Sequence, residues 1–151
     1  MRALVQRVLE ASVTWAPTAT GPWEEAGRID RGLVALVGVT HADTEQQART
    51  LADKLVNLRV LADDAGAMNR SCLQVGAALL VVSQFTLYAD TRRGRRPSFV
   101  DAAPPEQAEP LLEVLIAHAR AAGVPVATGR FRTHMRVGLV NDGPVTVLLE
   151  V

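Results

Sequence analysis

Short runs of apolar residues recur along much of the chain and predict β-strands. Residues 2–8 and 11–15 are rich in β-branched and other apolar side chains, which predicts two short strands separated around Glu10. Residues 33–39 and 77–82 are almost uninterrupted apolar runs, short enough to be strands buried on both faces. The same criteria predict further strands at residues 124–128, about 130–140 and 144–150.

Two other segments have the period of an amphipathic helix. In residues 43–57, apolar side chains recur at helical spacing behind a Thr44-x-x-Gln47 capping box. The second helix has an apolar face of Leu111, Leu112, Leu115, Ile116 and Ala119. Gly123 can end it, and Pro110 predicts that it begins or kinks there. Strands, helix, strands, helix, strands is the order expected of one mixed α/β domain over residues 1–151.

The composition excludes several classes of protein. With 48% apolar residues in 151, the chain is not intrinsically disordered. Sixteen basic and 16 acidic residues argue against a protein coated in positive charge, although a local basic patch is still possible. The start of the chain does not resemble a signal peptide, and no apolar stretch approaches the ~20 residues that span a bilayer. A single cysteine, Cys72, fits a reducing cytoplasm and a structural core position.

Residues 83–87, Ser-Gln-Phe-Thr-Leu, are the first candidate for chemistry. They follow a predicted buried strand, and α/β proteins tend to place ligands at such strand ends. The alternative is a turn in which Ser83 and Thr86 only satisfy backbone groups. A hydroxyl nucleophile needs a base, and the chain has three histidines but no Gly-x-Ser-x-Gly elbow. We therefore expect no conventional triad. Paired cysteines and a His-x-x-x-His spacing are also missing from the sequence, so no metal or other cofactor is expected.

Two basic segments are candidates for binding phosphate. One holds four arginines in five positions, namely Arg92, Arg93, Arg95 and Arg96. In the other, a strand would place Arg130, Arg132, His134 and Arg136 on one face and Phe131, Thr133, Met135 and Val137 on the other. A solvated loop and an ordinary half-buried strand are the alternatives. Together the two segments would form a local nucleic-acid footprint on a neutral protein.

Residues 141–146, Asn-Asp-Gly-Pro-Val-Thr, lie between two apolar runs. Asp-Gly at such a place first predicts a hairpin turn. Pro144 has no N–H to donate to a following strand, and its bond to Gly143 can also be cis. A cis pair would expose two carbonyls side by side in a rigid frame, which is an arrangement able to discriminate stereochemistry.

These segments together resemble the D-aminoacyl-tRNA deacylase family of bacterial and eukaryotic type, over the whole chain. Both family signatures, at residues 83–87 and 141–146, are complete, and shorter matches lie at residues 3–8, 11–13, 89–91, 96–99 and 128–131. The resemblance implies an α/β fold of largely antiparallel sheets with a barrel-like core and two helices packed outside. It also implies a homodimeric hydrolase, with active sites at the subunit interface, that cleaves D-aminoacyl-tRNA and glycyl-tRNA.

The resemblance also assigns roles to residues. Gly143 and Pro144, braced by Arg7, would reach into the neighbouring subunit's pocket and exclude L-amino acids. Gly143 is expected there because a Cβ would narrow the pocket or forbid the backbone angles. Backbone N–H groups of Ser83, Gln84, Phe85 and Thr86 would hold the oxyanion. Phe131 and Met135 would line the adenosine pocket, and the phosphate contacts would come from Arg92, Arg93, Arg95, Arg96, Arg130 and Arg132, with Arg136 as a further candidate.

Two routes for the chemistry and two other functions remain open. Thr86 is the nucleophile of an older family proposal, whereas a route assisted by the ribose 2′-hydroxyl needs no protein base. A related deacylase that removes L-alanine from the wrong tRNA lacks the Ser-Gln-Phe-Thr signature and holds its Gly-Pro bond trans, so the sequence argues against it. A non-catalytic nucleic-acid-binding module of the same fold is the third hypothesis.

Overall fold

The computed structural model describes residues 1–92 and 94–151, which form a curved mixed sheet with helices packed against one face. The strands are β1 (Arg2–Ala16), β2 (Glu24–Ile29), β3 (Gly32–Gly38), β4 (Leu61–Ala62), β5 (Met68–Arg70), β6 (Ala78–Ser83), β7 (Val126–Thr128) and β8 (His134–Glu150). The helices are α1 (Glu45–Asn57), α2 (Cys72–Val75) and α3 (Pro105–Ala121), with a short 3-10 helix at Phe85–Tyr88.

Strand β1 organises the sheet because it has partners along both edges. β8 runs antiparallel to it from the Arg2–Glu150 pair to the Ala16–His134 pair. β2 and β3 follow one another along the other edge, also antiparallel. Beyond β3 the sheet continues through β6 and β7, and both of these pairings are parallel. A Cβ on Gly27 of β2 would lie 2.7 Å from the Thr128 carbonyl oxygen of β7, so the sheet is almost closed. The expected mixed α/β, barrel-like fold is confirmed.

Both faces of the central strands are buried, which accounts for their uninterrupted apolar sequences. Leu33, Ala35 and Val37 of β3 pack with α1 and α3 on one side of the sheet. Val34 lies on the other side, inside the curved sheet, with Leu80 of β6. A strand that is covered on both faces has no solvent-facing positions, so its sequence does not alternate between apolar and polar residues. Such continuous apolar runs are usual in parallel strands.

Three strand predictions are wrong in a way that matters for the site. Residues 2–8 and 11–15 form the single strand β1, because ladder pairing continues through Glu10 to Val140. The segments near 134–140 and 144–150 form the single strand β8, so Asp-Gly at 142–143 makes no hairpin. Residues 131–133 form a turn instead of a strand, with Arg132 in the left-handed region at φ 57°.

The helix predictions are largely confirmed. The Thr44 and Gln47 capping box is formed in both directions at the start of α1. α3 begins at Pro105, so Pro110 lies inside it, at an exposed position of the second turn where water can bond the carbonyl that Pro110 leaves without a donor. Among the described residues, no helix is both long and apolar enough to cross a membrane.

Candidate active site

The main cavity, with a volume of about 560 Å³, lies where β3 and β6 end. Parallel strands bring their carboxyl ends to the same edge of a sheet, so the paired residues Val37 and Ser83 both line the cavity. The rest of the wall comes from the segment after β6, the 99–105 loop, the start of α3, and the turn that leads into β8. Its lining is Val37, Val39, Val82, Ser83, Gln84, Phe85, Phe99, Ala102, Ala103, Pro105, Ala108, Phe131, Arg132, Thr133, Met135 and Val137.

Ser83, Gln84 and Phe85 line this edge of the cavity, and Thr86 follows them in the chain. The Gln84 N–H donates to the Val37 carbonyl at 2.8 Å and is therefore committed to the sheet. The N–H groups of Phe85 and Thr86 open the 3-10 helix and donate to no acceptor among the described residues. Of the four residues predicted to supply oxyanion donors, Phe85 and Thr86 thus have N–H groups available.

Among the residues that the structure describes, no base is in contact with the Thr86 hydroxyl. Its oxygen instead accepts a hydrogen bond from the Gln84 side-chain amide. His41 bonds the Val100 carbonyl, and His118 pairs with Asp53 between α1 and α3. The cysteine is no alternative nucleophile, because burial raises the pKa of the Cys72 thiol to about 12.

Three aromatic side chains, those of Phe85, Phe99 and Phe131, line the cavity. Phe131 and Met135, the residues expected to line an adenosine pocket, both line this cavity. Sequence reasoning missed the side chains of Phe85 and Phe99, whose rings meet edge to face with centroids 5.2 Å apart. The two side chains are 55% and 38% exposed, whereas large apolar rings are more often buried. An exposed aromatic pair at a cavity is a suitable surface for a planar ligand.

The basic loop after the 3-10 helix lies between Asp90 and Ser98, and Asp90 holds its two ends together. Asp90 and Ser98 exchange two backbone hydrogen bonds, of 2.7 and 2.9 Å. The Asp90 carboxylate also accepts from the Arg92 guanidinium at 2.9 and 2.8 Å, and hydrogen bonding to Arg92 lowers the pKa of Asp90 to about 2. All three of Arg92, Arg95 and Arg96 are exposed, and Arg92 is already paired with Asp90. Arg93 lies outside the described residues.

The second basic segment does not present the predicted common face, because its first part is a turn. The Arg130 guanidinium lies 3.6 Å from the centre of the Trp15 ring, and that of Arg136 lies 3.8 Å from the Trp23 ring. Arg132 lines the main cavity instead. None of these three arginines forms an ion pair with any residue the structure describes.

The Gly143–Pro144 pair lies on a bulge of β8. Between the Gln6–Thr146 and Val8–Asn141 pairs, four residues of β8 (142–145) face the single residue Arg7. Arg7 donates to the Asp142 carbonyl at 2.9 Å and pairs with its carboxylate at 3.0 Å. The peptide bond between Gly143 and Pro144 is cis.

Gly143 is required by local packing. Its φ is outside the left-handed region, so the backbone angles alone do not demand glycine. A Cβ there would instead overlap Asn141 Oδ1 and lie 2.9 Å from the Val145 nitrogen. Two reasons for glycine at this position were expected from the sequence, a narrowed pocket and forbidden backbone angles. The second is excluded by the observed φ. Gly143 and Pro144 are both exposed, and neither lines the cavity of its own chain.

Comparison with known proteins identifies the family. The family model described as D-Tyr-tRNA(Tyr) deacylase matches residues 4–150. The chain belongs to this family. A D-aminoacyl-tRNA deacylase of Roseiflexus sp. (strain RS-1) is 58% identical over 150 residues, which are 99% of this chain and 93% of the relative. That of Halalkalibacterium halodurans is 52% identical, with 99% of each chain covered. The enzyme class expected from the sequence, a D-aminoacyl-tRNA deacylase, is confirmed.

Two solved structures have the same fold. The protein described as c-Myc DNA Unwinding Element Binding Protein is 36% identical, with a TM-score of 0.88 over 100% of this chain and 99% of the other. A probable eukaryotic D-amino acid tRNA deacylase is 15% identical, with a TM-score of 0.83 over 99% and 98%, which supports the fold alone.

The Asp90–Arg92 pair yields a prediction for pH titration. Replacing Arg92 by Ala removes the guanidinium but keeps the backbone N–H bond, so the pKa of Asp90 should rise from about 2 part of the way to its ordinary 3.8. Because the pKa is lowered in the folded state, the stabilising pair is fully present above pH 3.8 and is lost as the pH falls through about 2. NMR titration of the Asp90 carboxyl in both proteins measures this. Asp63 is the control, since its pKa is lowered by Asn69 and Ala67 and should not move. An unmoved Asp90 midpoint would contradict the assignment.

Proposed function

We propose that the chain hydrolyses the ester of D-aminoacyl-tRNA, and of glycyl-tRNA, in the cavity beside Ser83. The observation that carries this is the pair of unengaged N–H groups on Phe85, which lines a cavity of about 560 Å³, and on Thr86, the next residue. Two such donors suit the oxyanion that develops when water attacks an ester carbonyl. The cavity has the volume of a small-molecule site and can accept an aminoacyl group with its adenosine.

The adenosine lies against the apolar side of this cavity. Phe131 and Met135 form its wall, and the exposed rings of Phe85 and Phe99 extend the aromatic surface. An adenine held by stacking needs few hydrogen bonds from side chains. That agrees with a lining that is mainly apolar, and with the small number of charged groups in it.

The reaction uses the substrate's own ribose hydroxyl. Water attacks the ester carbonyl, the tetrahedral oxyanion is held by the Phe85 and Thr86 N–H groups, and the bond to the ribose oxygen then breaks. The neighbouring 2′-hydroxyl takes the proton from water and passes it to the leaving oxygen. The hydrogen bond from Gln84 to the Thr86 hydroxyl, in place of a base, supports a positioning role for Thr86.

Chiral selection requires a second copy of the chain. Gly143 and Pro144 are exposed on the bulge and do not line their own chain's cavity. The bulge lies on β8, a 17-residue strand that pairs with β1 and with no other strand in the described part of the chain. Leu9, Val140 and Leu148 on these two strands are 53%, 46% and 52% exposed. A long free strand edge with exposed apolar side chains favours association, and a homodimer places the bulge of one copy at the cavity of the other.

The carbonyls of Gly143 and Pro144 then act as the chiral filter. An L-amino acid would direct its side chain into these two oxygens, whereas a D-amino acid would direct it away. Glycine has no side chain to be rejected and is hydrolysed as well. Exclusion of the wrong enantiomer needs no specific contact with the correct side chain, which suits an enzyme acting on several D-amino acids.

The tRNA is held by few phosphate contacts. Arg95, Arg96, Arg130 and Arg132 are exposed and supply them, whereas Arg92 reaches a phosphate only by leaving Asp90. With no net charge on the chain, affinity rests on these local cations and falls with salt. The aminoacyl-tRNA pool places the enzyme in the cytoplasm.

The chirality of hydrolysis is the decisive measurement. We expect the purified chain to deacylate D-tyrosyl-tRNA at least a hundredfold faster than L-tyrosyl-tRNA, because only the L side chain meets the filter carbonyls. Glycyl-tRNA should also be hydrolysed. Release of labelled amino acid from each charged tRNA measures the three rates. Equal rates on both tyrosyl esters would rule out the filter. Binding of uncharged tRNA or DNA without any hydrolysis would favour the binding-module hypothesis. That hypothesis is tested because a 36% identical relative is described as a DNA-binding protein.

Thr86→Ala distinguishes the two chemical routes. If Thr86 only positions the 3-10 helix, the variant should keep its D-tyrosyl-tRNA deacylation rate within about tenfold, since the loss is that of one hydrogen bond. Single-turnover rates of the wild type and the variant measure this. A fall to the uncatalysed rate, with an unchanged circular dichroism spectrum and Tm, would instead identify Thr86 as the nucleophile.

Leu148→Arg tests the need for a second copy. A charged side chain on the exposed face of β8 should convert the dimer to a monomer and abolish deacylation, because the cavity then lacks its filter. Sedimentation velocity gives the oligomeric state and the D-tyrosyl-tRNA assay gives the activity. Leu73→Arg, at a similarly exposed leucine of α2, is the matched control and should leave both unchanged. A fully active monomer would refute the shared site.

A further inference from the structure

We propose that Asn141 is a positioning residue that sets the shape of the 142–145 bulge, and through it the preference for D over L esters. The inference rests on the proposed chiral filter. It concerns a residue that does not line the main cavity of its own chain.

The Asn141 amide ties the two ends of the bulge together. Its Nδ2 donates to the Arg7 carbonyl of β1 at 2.9 Å and to the Val145 carbonyl at 3.2 Å. Arg7 is the β1 residue that the bulge faces, and Val145 is the last residue of the bulge. One amide group therefore fixes the distance between the neighbouring strand and the far end of the displaced segment.

The Arg7 guanidinium is a separate clamp that holds only the near end. It binds Asp142, the first residue of the bulge, and the Val60 carbonyl at 2.6 Å. Among the described residues, no side chain other than Asn141 donates to the backbone of residues 143–145. Without the amide, the far end of the bulge would be held by packing and by the Thr146–Gln6 ladder pair, in which the Gln6 side-chain amide also donates to the Thr146 hydroxyl at 3.1 Å.

The other atom of the amide shapes the filter residue itself. Asn141 Oδ1 occupies the position that a Cβ on Gly143 would need. The amide thus has two distinct sides, with its donors on two carbonyls and its acceptor against the Gly143 Cα. Aspartate, which has the same shape, cannot reproduce this, because a carboxylate has no donor and would set an oxygen against both carbonyls.

The test compares Asn141→Asp and Asn141→Ala with the wild type, using the ratio of D-tyrosyl to L-tyrosyl deacylation rates. We expect the ratio to fall at least tenfold in both variants, because a loosened bulge no longer holds its two carbonyls against the L side chain. Single-turnover rates at saturating enzyme separate this from a change in KM. Asn57→Asp is the matched control, since Asn57 also donates through Nδ2 to a backbone carbonyl (Asp53, 2.9 Å) but at the exposed end of α1, and its ratio should be unchanged.

The outcomes separate the inference from the function it rests on. A selective wild type with Asn141 variants that keep its ratio within twofold overturns the role of Asn141 and leaves the filter standing. A wild type with no D preference overturns both. If Asn141→Asp does not fold, the ratio for Asn141→Ala decides, since alanine introduces no charge. A merely structural role would lower Tm and both rates together, with no change in their ratio, and that result also overturns the inference.

Discussion

The pairing of β1 with β8 imposes the constraint on which the candidate site depends. The two strands are in register at both ends, from Arg2–Glu150 and from Ala16–His134, yet β8 has more residues between the ends than β1 has to offer. Opposite Arg7, β8 has three residues more than β1, and β1 regains one at Leu9, which leaves β8 a net surplus of two. Since ladder hydrogen bonds hold both flanks, the surplus residues must leave the plane of the sheet at a fixed position. A hairpin at the same sequence would have been free to move.

The cavity also depends on β1, through the edge of β1 that pairs with β3. β1 aligns β3, and β3 aligns β6 in parallel, so the two strand ends that line the cavity meet. The facing wall is anchored through the start of β1. The Met1 ammonium binds buried Asp43 at 2.6 Å, and Asp43 accepts the Thr40 N–H at 2.7 Å. Thr40 in turn donates to the Asp101 carbonyl, which holds the 99–105 loop in place. A single long strand thus positions both the bulge and the cavity.

Local patterns predicted most of the elements but few of the long-range relations. The capping box of α1 and the double-faced burial of β3 follow from neighbouring residues, and both were predictable. The Asp142–Gly143 hairpin was wrong because turn propensity is local, whereas β1 offers pairing to both flanks and overrides it. The stacking of Arg130 on Trp15 joins positions far apart in sequence, and no periodicity indicates it. The site motifs could be located from the sequence, but the committed N–H of Gln84 and the paired state of Arg92 could not.

The proposed filter, made of main-chain carbonyls, has a consequence for how selectivity can vary. Carbonyl oxygens are the same whatever the side chain, so substitution cannot retune the filter directly, in contrast to a pocket lined by side chains. Its geometry can change only through the groups that hold the backbone. Here these are the Arg7 guanidinium at the near end and the Asn141 amide across the whole segment. On this proposal, the residues that set the strand pairing behind the filter control its chirality, and the residues that meet the substrate do not.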